Sequence, residues 1–112
     1  MNAYHAGFLY ELRAARYVRG KGFRVLDRRF RAGDGEIDLI ALDGDTLVFI
    51  EVKARPNGSL GSGAEAVTAD KRRRIRHAAQ AYCARKGYSD RLCRYDILEF
   101  SRAGIYYMEN AF

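Results

Sequence analysis

Residues Gly35 to Arg55, GEIDLIALDGDTLVFIEVKAR, constrain the fold more than any other part of the chain. Ile37, Leu39, Ile40 and Leu42 make one strongly apolar arm, and Leu47, Val48, Phe49, Ile50 and Val52 make a second. Between them Asp43-Gly44 is a hairpin turn signal. Asp38, Glu51 and Lys53 are set into these arms. A charged group in buried strand needs a partner, because desolvating it alone costs several kcal/mol.

Side chains alternate along a strand, so Glu51 and Lys53 point to the same face. If Asp43-Gly44 is the two-residue loop, Leu42 faces Asp45, Asp38 faces Phe49 on the diagonal to Glu51, and Glu36 opposes Glu51. All these charges then share one face; a three-residue loop would send Asp38 to the other. Two converging carboxylates repel, and a hard divalent cation that prefers oxygen, Mg²⁺ or Mn²⁺, relieves the repulsion. Asp38 and Glu51 are the expected metal ligands, and Lys53 the group that orients a water or balances developing charge. Glu36 ranks below Asp38. A lone E-x-K is more often a solvated charged row; the apolar context and the matching Asp38 favour a site.

Asp38, twelve intervening residues, and then Glu51-x-Lys53 resemble the PD-(D/E)xK nuclease core shared by restriction enzymes and Holliday-junction resolvases. More narrowly, GEIDLIA, FIEVKAR and the downstream AV-x3-K ending at Lys71 are similar to the small bacterial YraN family. The resemblance implies a restriction-endonuclease-like fold and action on branched or damaged DNA, in repair or recombination. It also implies a Glu on the first helix that approaches the metal, here Glu11, counted as catalytic with Lys53. From the residues alone, an ordinary helix-border Glu paired with a nearby Arg is the preferred reading of Glu11. The family often has Asn where this chain has Arg29.

The length suits one domain with a single core. The net charge is +6, and 16 of the 20 basic residues are Arg, whose planar fork suits phosphate. A codon bias toward Arg gives the same composition. Lys71, Arg72, Arg73, Arg74 and Arg76 crowd the start of the second helix, where the macrodipole disfavours cations. Lys71, Arg72, Arg73 and Arg76, with Arg55, are the expected nucleic-acid contacts, DNA above all, although a solvated basic face is the rival reading. Cys83 and Cys93 read as buried thiols of a cytoplasmic protein. There is no stretch of roughly 20 apolar residues, so no membrane partner is expected, and a homodimer is an allowed assembly.

In order, the chain reads as a helix over about residues 2–19 with an apolar stripe of Tyr4, Phe8, Leu12 and Ala15. A strand through Phe23 and DRRFR follows, then the hairpin and a Gly-rich NGSLGSG loop that could close over a substrate strand or merely connect. A helix from Thr68 to Lys86 capped by Gly87 comes next, and one or two closing strands end the chain. Gly33 and Gly35 serve either turn flexibility or close approach of a ligand. The fold class is α/β, a three-strand meander extended in parallel by a helical crossover, with helices on the faces of a mixed sheet. The leading function is a metal-dependent DNA endonuclease. The alternatives are a non-catalytic nucleic-acid-binding module, as a subunit of a larger complex, and an interaction protein.

Overall fold

A computed structural model describes residues 3–55 and 67–112, with side chains from residue 7 onward. The NGSLGSG loop and the side chain of Tyr4 lie outside the described residues. Helix α1 (Ala3–Gly20) precedes strands β1 (Arg24–Ala32), β2 (Gly35–Asp43) and β3 (Thr46–Arg55). Helix α2 (Ala69–Lys86) leads to β4 (Cys93–Ser101) and β5 (Gly104–Met108). The five strands form one open sheet in chain order, antiparallel throughout except where β3 and β4 run parallel. This mixed α/β sheet, with α1 on one face and α2 on the other, fits a restriction-endonuclease-like arrangement. Among the described residues no helix is long and apolar enough to cross a membrane.

Each helix buries one row of side chains against alternate positions of the central strands. Against α1 pack Leu39, Ala41, Val48, Ile50 and Leu98; against α2 pack Ile40, Leu47, Phe49 and Ile97. The α2 boundaries follow local chemistry: the Thr68 hydroxyl accepts from the Lys71 amide, and Gly87 adopts the left-handed cap at φ 70°. Ile75, Ala78, Ala79 and Tyr82 make its buried row, as the helical period predicts.

On α1 the expected stripe holds at Ala15 and fails at Phe8 and Leu12. Phe8 and Leu12 are 41% and 38% exposed, and the buried row is Glu11, Ala14, Ala15 and Val18. These four also obey helical spacing, but small side chains bring the helix closer to the sheet than Phe and Leu would. Glu11 therefore sits within the packed face, not at its border.

Gly35 is needed for close approach, though of protein and not of ligand. A Cβ there would lie 2.1 Å from the Arg74 carbonyl oxygen on α2. Because the obstacle is helix backbone, Gly35→Ala is expected to push α2 off β2 and destabilise by about 2–4 kcal/mol, as overpacked cores do. Urea denaturation measures this; an unchanged midpoint would show that α2 can shift freely.

At the opposite end of the sheet, Asp96 is wholly buried. Its carboxylate accepts from the Arg94 guanidinium at 3.0 Å, from the Tyr107 hydroxyl, and from the Asn110 amide at 2.8 Å. Arg94 also reaches Asp43 at 2.9 Å, joining the β2–β3 turn to the closing segment. Asp96→Ala strands these donors, so about 3–5 kcal/mol of stability and a Tm drop of roughly 10 °C or more are expected in a thermal melt.

Candidate functional site

The β2–β3 hairpin turns on Gly44 and Asp45, pairing Asp43 with Thr46 and Ile40 with Phe49. Gly44 has φ 61°, which suits the first central position of a tight hairpin turn. The expected register, with Asp38 facing Phe49 and Glu36 facing Glu51, is thus displaced by two residues. The displacement preserves parity. Extending the observed pairing one step beyond Leu39 and Ile50 sets Asp38 opposite Glu51, and two further steps set Glu36 opposite Lys53.

The ladder stops where Asp38 begins. The Val52 amide donates to Asp38 Oδ2 at 2.8 Å, so a side chain replaces the backbone acceptor that β2 would have supplied. Strict alternation also fails here, since Ile37 and Ile40 both pack on the α2 face. Asp38 occupies this twist. One cavity on the α1 side is lined by Glu11, Asp38, Val52 and Tyr10; another, of about 310 Å³, on the α2 side is lined by Glu36, Asp38, Glu51 and Lys71. Asp38 is the residue through which the two meet.

Three carboxylates converge there: one oxygen each of Glu11, Glu36 and Asp38 lie within 4.8 Å of one another. Glu11, 7% exposed, is held by the Arg29 Nε at 2.5 Å, and Glu36 by Arg31 at 3.0 Å. Among the described residues no cation forms such an ion pair with Asp38. Burial, reinforced by the Glu51 charge and also by Glu11, pushes its carboxyl up to about 7, against the pull of the Val52 amide and Lys71. Arg29, whose backbone φ is 50°, lies in the left-handed conformation, where Asn is several-fold enriched among non-glycine residues.

Glu51, 5% exposed, is bracketed by Lys71 Nζ at 2.7 Å and Lys53 Nζ at 3.5 Å. Burial and the neighbouring Lys71 ammonium pull Lys53 below the usual lysine range, with Glu51 opposing. For Lys71 burial acts downward, but its bond to Glu51 wins and its proton is held more tightly. Lys71 is therefore part of this centre and not of an outer basic face, and Glu36 belongs to the carboxylate cluster although the sequence ranks it low. Parity with Asp38 was the signal for Glu36. Lys71 carried only the motif, since its helical position looks like the head of a basic run.

The rest of that run is partnered. Arg73 reaches Asp70 at 2.7 Å and Asp34 at 3.9 Å, and Arg74 lies 3.1 Å from Asp70. Arg72 donates to the Val67 carbonyl and lies over the Phe112 ring, while Arg76 lies over Tyr95 and Phe112. The unfavourable charge placement at the helix start thus has local compensation. Arg55 ends β3 beside Ser101 of β4. Both cysteines are free, but only Cys83 is half-buried; Cys93, at the first position of β4, is exposed.

A family model described as "Uncharacterised protein family UPF0102" matches residues 10–100. Similar proteins include a UPF0102 protein of Alkaliphilus oremlandii, 41% identical over 112 residues that cover 95% of this chain and 96% of its relative. Another, of Pelotomaculum thermopropionicum, is 40% identical and covers 95% and 93%. One of Hahella chejuensis is 44% identical over 88 residues, 79% of this chain and 71% of the relative. These matches agree with the YraN-like motifs, and the protein belongs to the UPF0102 family.

Proposed function

We propose that the protein is a Mg²⁺- or Mn²⁺-dependent endonuclease acting on DNA, with branched or damaged structures as its substrates and the cytoplasm as its location. The observation that carries this is the gathering of Glu11, Glu36 and Asp38, one buried and two half-buried, beside the buried Glu51 at one interruption of the sheet. All donors are hard oxygens. One oxygen each of Glu11, Glu36 and Asp38 lies within 4.8 Å of the others, close enough that small side-chain adjustments would let them share one hard divalent cation. Asp38, with Glu51 or with Glu11 and Glu36, would hold the ion, which would polarise a phosphate oxygen and acidify a bound water.

The chain's own residues supply the rest. Lys53 and Lys71 set two ammonium groups beside Glu51, where negative charge on a pentacovalent phosphate can be balanced. Lys53, whose proton burial and Lys71 loosen, is placed to orient the attacking water as a hydrogen-bond donor. Arg29 fixes the rotamer of Glu11, a positioning role.

One observation favours a non-catalytic nucleic-acid-binding module: Lys71 and Lys53 both pair with Glu51 and compete with a cation for its charge. A cleavage assay over single-stranded, duplex, flapped and four-way DNA with Mg²⁺ and Mn²⁺ decides between them. Cleavage of one structure supports the endonuclease; binding without cleavage under either ion supports the module.

A further inference from the structure

At the head of α2, Arg73 and Arg74 are held in ion pairs with Asp70, and a second group of arginines faces a cavity elsewhere on the molecule. A cavity of about 430 Å³ opens between α1 and the β4–β5 turn, lined by Tyr10, Arg13, Phe100, Arg102 and Ile105. That volume lies within the roughly 300–1,000 Å³ range of small-molecule sites. Tyr10 also lines the cavity containing Glu11 and Asp38, and Ala54 of that cavity pairs with Phe100 across β3 and β4. The two spaces are therefore neighbours around one tyrosine.

The lining has the two chemistries an unpaired nucleotide requires. Arg13 is exposed, and its guanidinium carbon lies 4.7 Å from the Phe100 ring centroid and 5.5 Å from that of Tyr10. A guanidinium backed by rings on one side can take a nucleobase on the other. Arg102 is exposed at the tip of the β4–β5 turn, where the Ser101 hydroxyl donates to the Gly104 carbonyl and accepts from the Ala103 amide. Among the described residues neither Arg13 nor Arg102 has a carboxylate partner, so both forks are available to phosphate.

We propose that this cleft is a single-strand subsite: it seats the unpaired nucleotide next to the phosphodiester presented at Asp38, with Arg13 stacking on the base and Arg102 holding the phosphate. The inference rests on the endonuclease reading for the identity of the neighbouring centre, but its contacts are made without chemistry. A duplex would offer phosphates to the two arginines and no free base to Arg13, so the site prefers single-stranded or frayed DNA.

The test is fluorescence anisotropy of a labelled single-stranded oligonucleotide and of the matching duplex, in EDTA, at several salt concentrations. Arg13→Ala is expected to weaken single-strand binding about tenfold or more, in line with loss of one stacked base. Arg13→Lys should recover little, because it restores charge without a planar surface. Arg102→Ala should weaken binding and lower the salt slope by about 0.7, the single-strand value for one phosphate. Arg85→Ala removes an equivalent charge from the far part of α2 and should change neither. Thermal melts of each variant separate binding loss from unfolding. Equal effects of Arg13→Ala and Arg85→Ala, full rescue by Arg13→Lys, or a wild-type preference for duplex would overturn the subsite. Cleavage by wild type with an indifferent Arg13 would leave the endonuclease standing and remove the subsite. Arg13-dependent binding with no cleavage under any metal would do the reverse, and wild type that binds no DNA would remove both.

Discussion

Asp38→Asn is expected to abolish divalent-cation-dependent cleavage while making the metal-free protein more stable above neutral pH. The loss should be about 10²- to 10³-fold or greater, as for removal of a group that acts on the transition state. The stability gain follows from linkage. Asp38's carboxyl has its proton affinity raised in the folded state, from 3.8 to about 7, so between these values the folded chain holds a proton that the unfolded chain releases. Stability of the wild type therefore falls as pH rises from about 4 through 7, by up to about 4 kcal/mol, and the deficit persists above 7. Asn keeps an oxygen for the Val52 amide but never ionises, so that slope should vanish. Urea unfolding in EDTA at pH 5 and pH 8 measures both proteins. If Asp38→Asn is less stable than wild type at pH 8, the ionised carboxylate is satisfied without a metal and the reading of Asp38 as a metal ligand fails.

The hairpin was legible because period-two patterning and a glycine turn are short-range signals that no tertiary contact overrides here. Its register was not legible to the residue. Asp43-Gly44 and Gly44-Asp45 both read as turns, and the choice follows from Gly44 taking the first central position. Sliding the loop by one residue changes the pairing by two, so the facing of Glu51 and Lys53 survived the error while the partner of Asp38 changed. What parity could not supply was the twist at Asp38, where Ile37 returns to the α2 face and the carboxylate becomes reachable from both sides.

The helices show the complementary weakness. Their number, and the caps of α2, came from local chemistry. On α1, however, two apolar stripes compete at helical spacing, and hydrophobicity alone selects the one carrying Phe8 and Leu12. The sheet selects the smaller row, and with it Glu11, because Ala14, Ala15 and Val18 permit the helix to lie close. Likewise, the basic run on α2 reads as one charged surface until its acceptors are known. Asp70 and the Val67 carbonyl are local to α2, but Glu51 on β3 and Asp34 ahead of β2 are brought to the run only by the fold.

Lys71 offers the sharpest separation of structural from catalytic roles, since it lies nearer to Glu51 than Lys53 does. Lys71→Met keeps the length of the side chain and removes the ammonium, leaving a carboxylate that is 5% exposed with, among the described residues, the more distant Lys53. In EDTA the variant should lose about 2–4 kcal/mol, the usual cost of breaking a buried pair. A divalent cation should restore most of this, because it supplies the missing positive charge at the same oxygen; the expected signature is a larger Mn²⁺-induced rise in Tm than in wild type. Metal affinity by titration calorimetry should tighten about tenfold, the ammonium no longer repelling the ion or competing for Glu51. Lys53→Met should tighten the metal less and cost more in turnover, its lower proton affinity marking it as the group that serves the reacting water. Should Lys71→Met weaken Mn²⁺ binding, or destabilise the protein equally with and without Mn²⁺, then Glu51 is the anchor of a structural ion pair and the metal, if any, is held by Glu11, Glu36 and Asp38 alone.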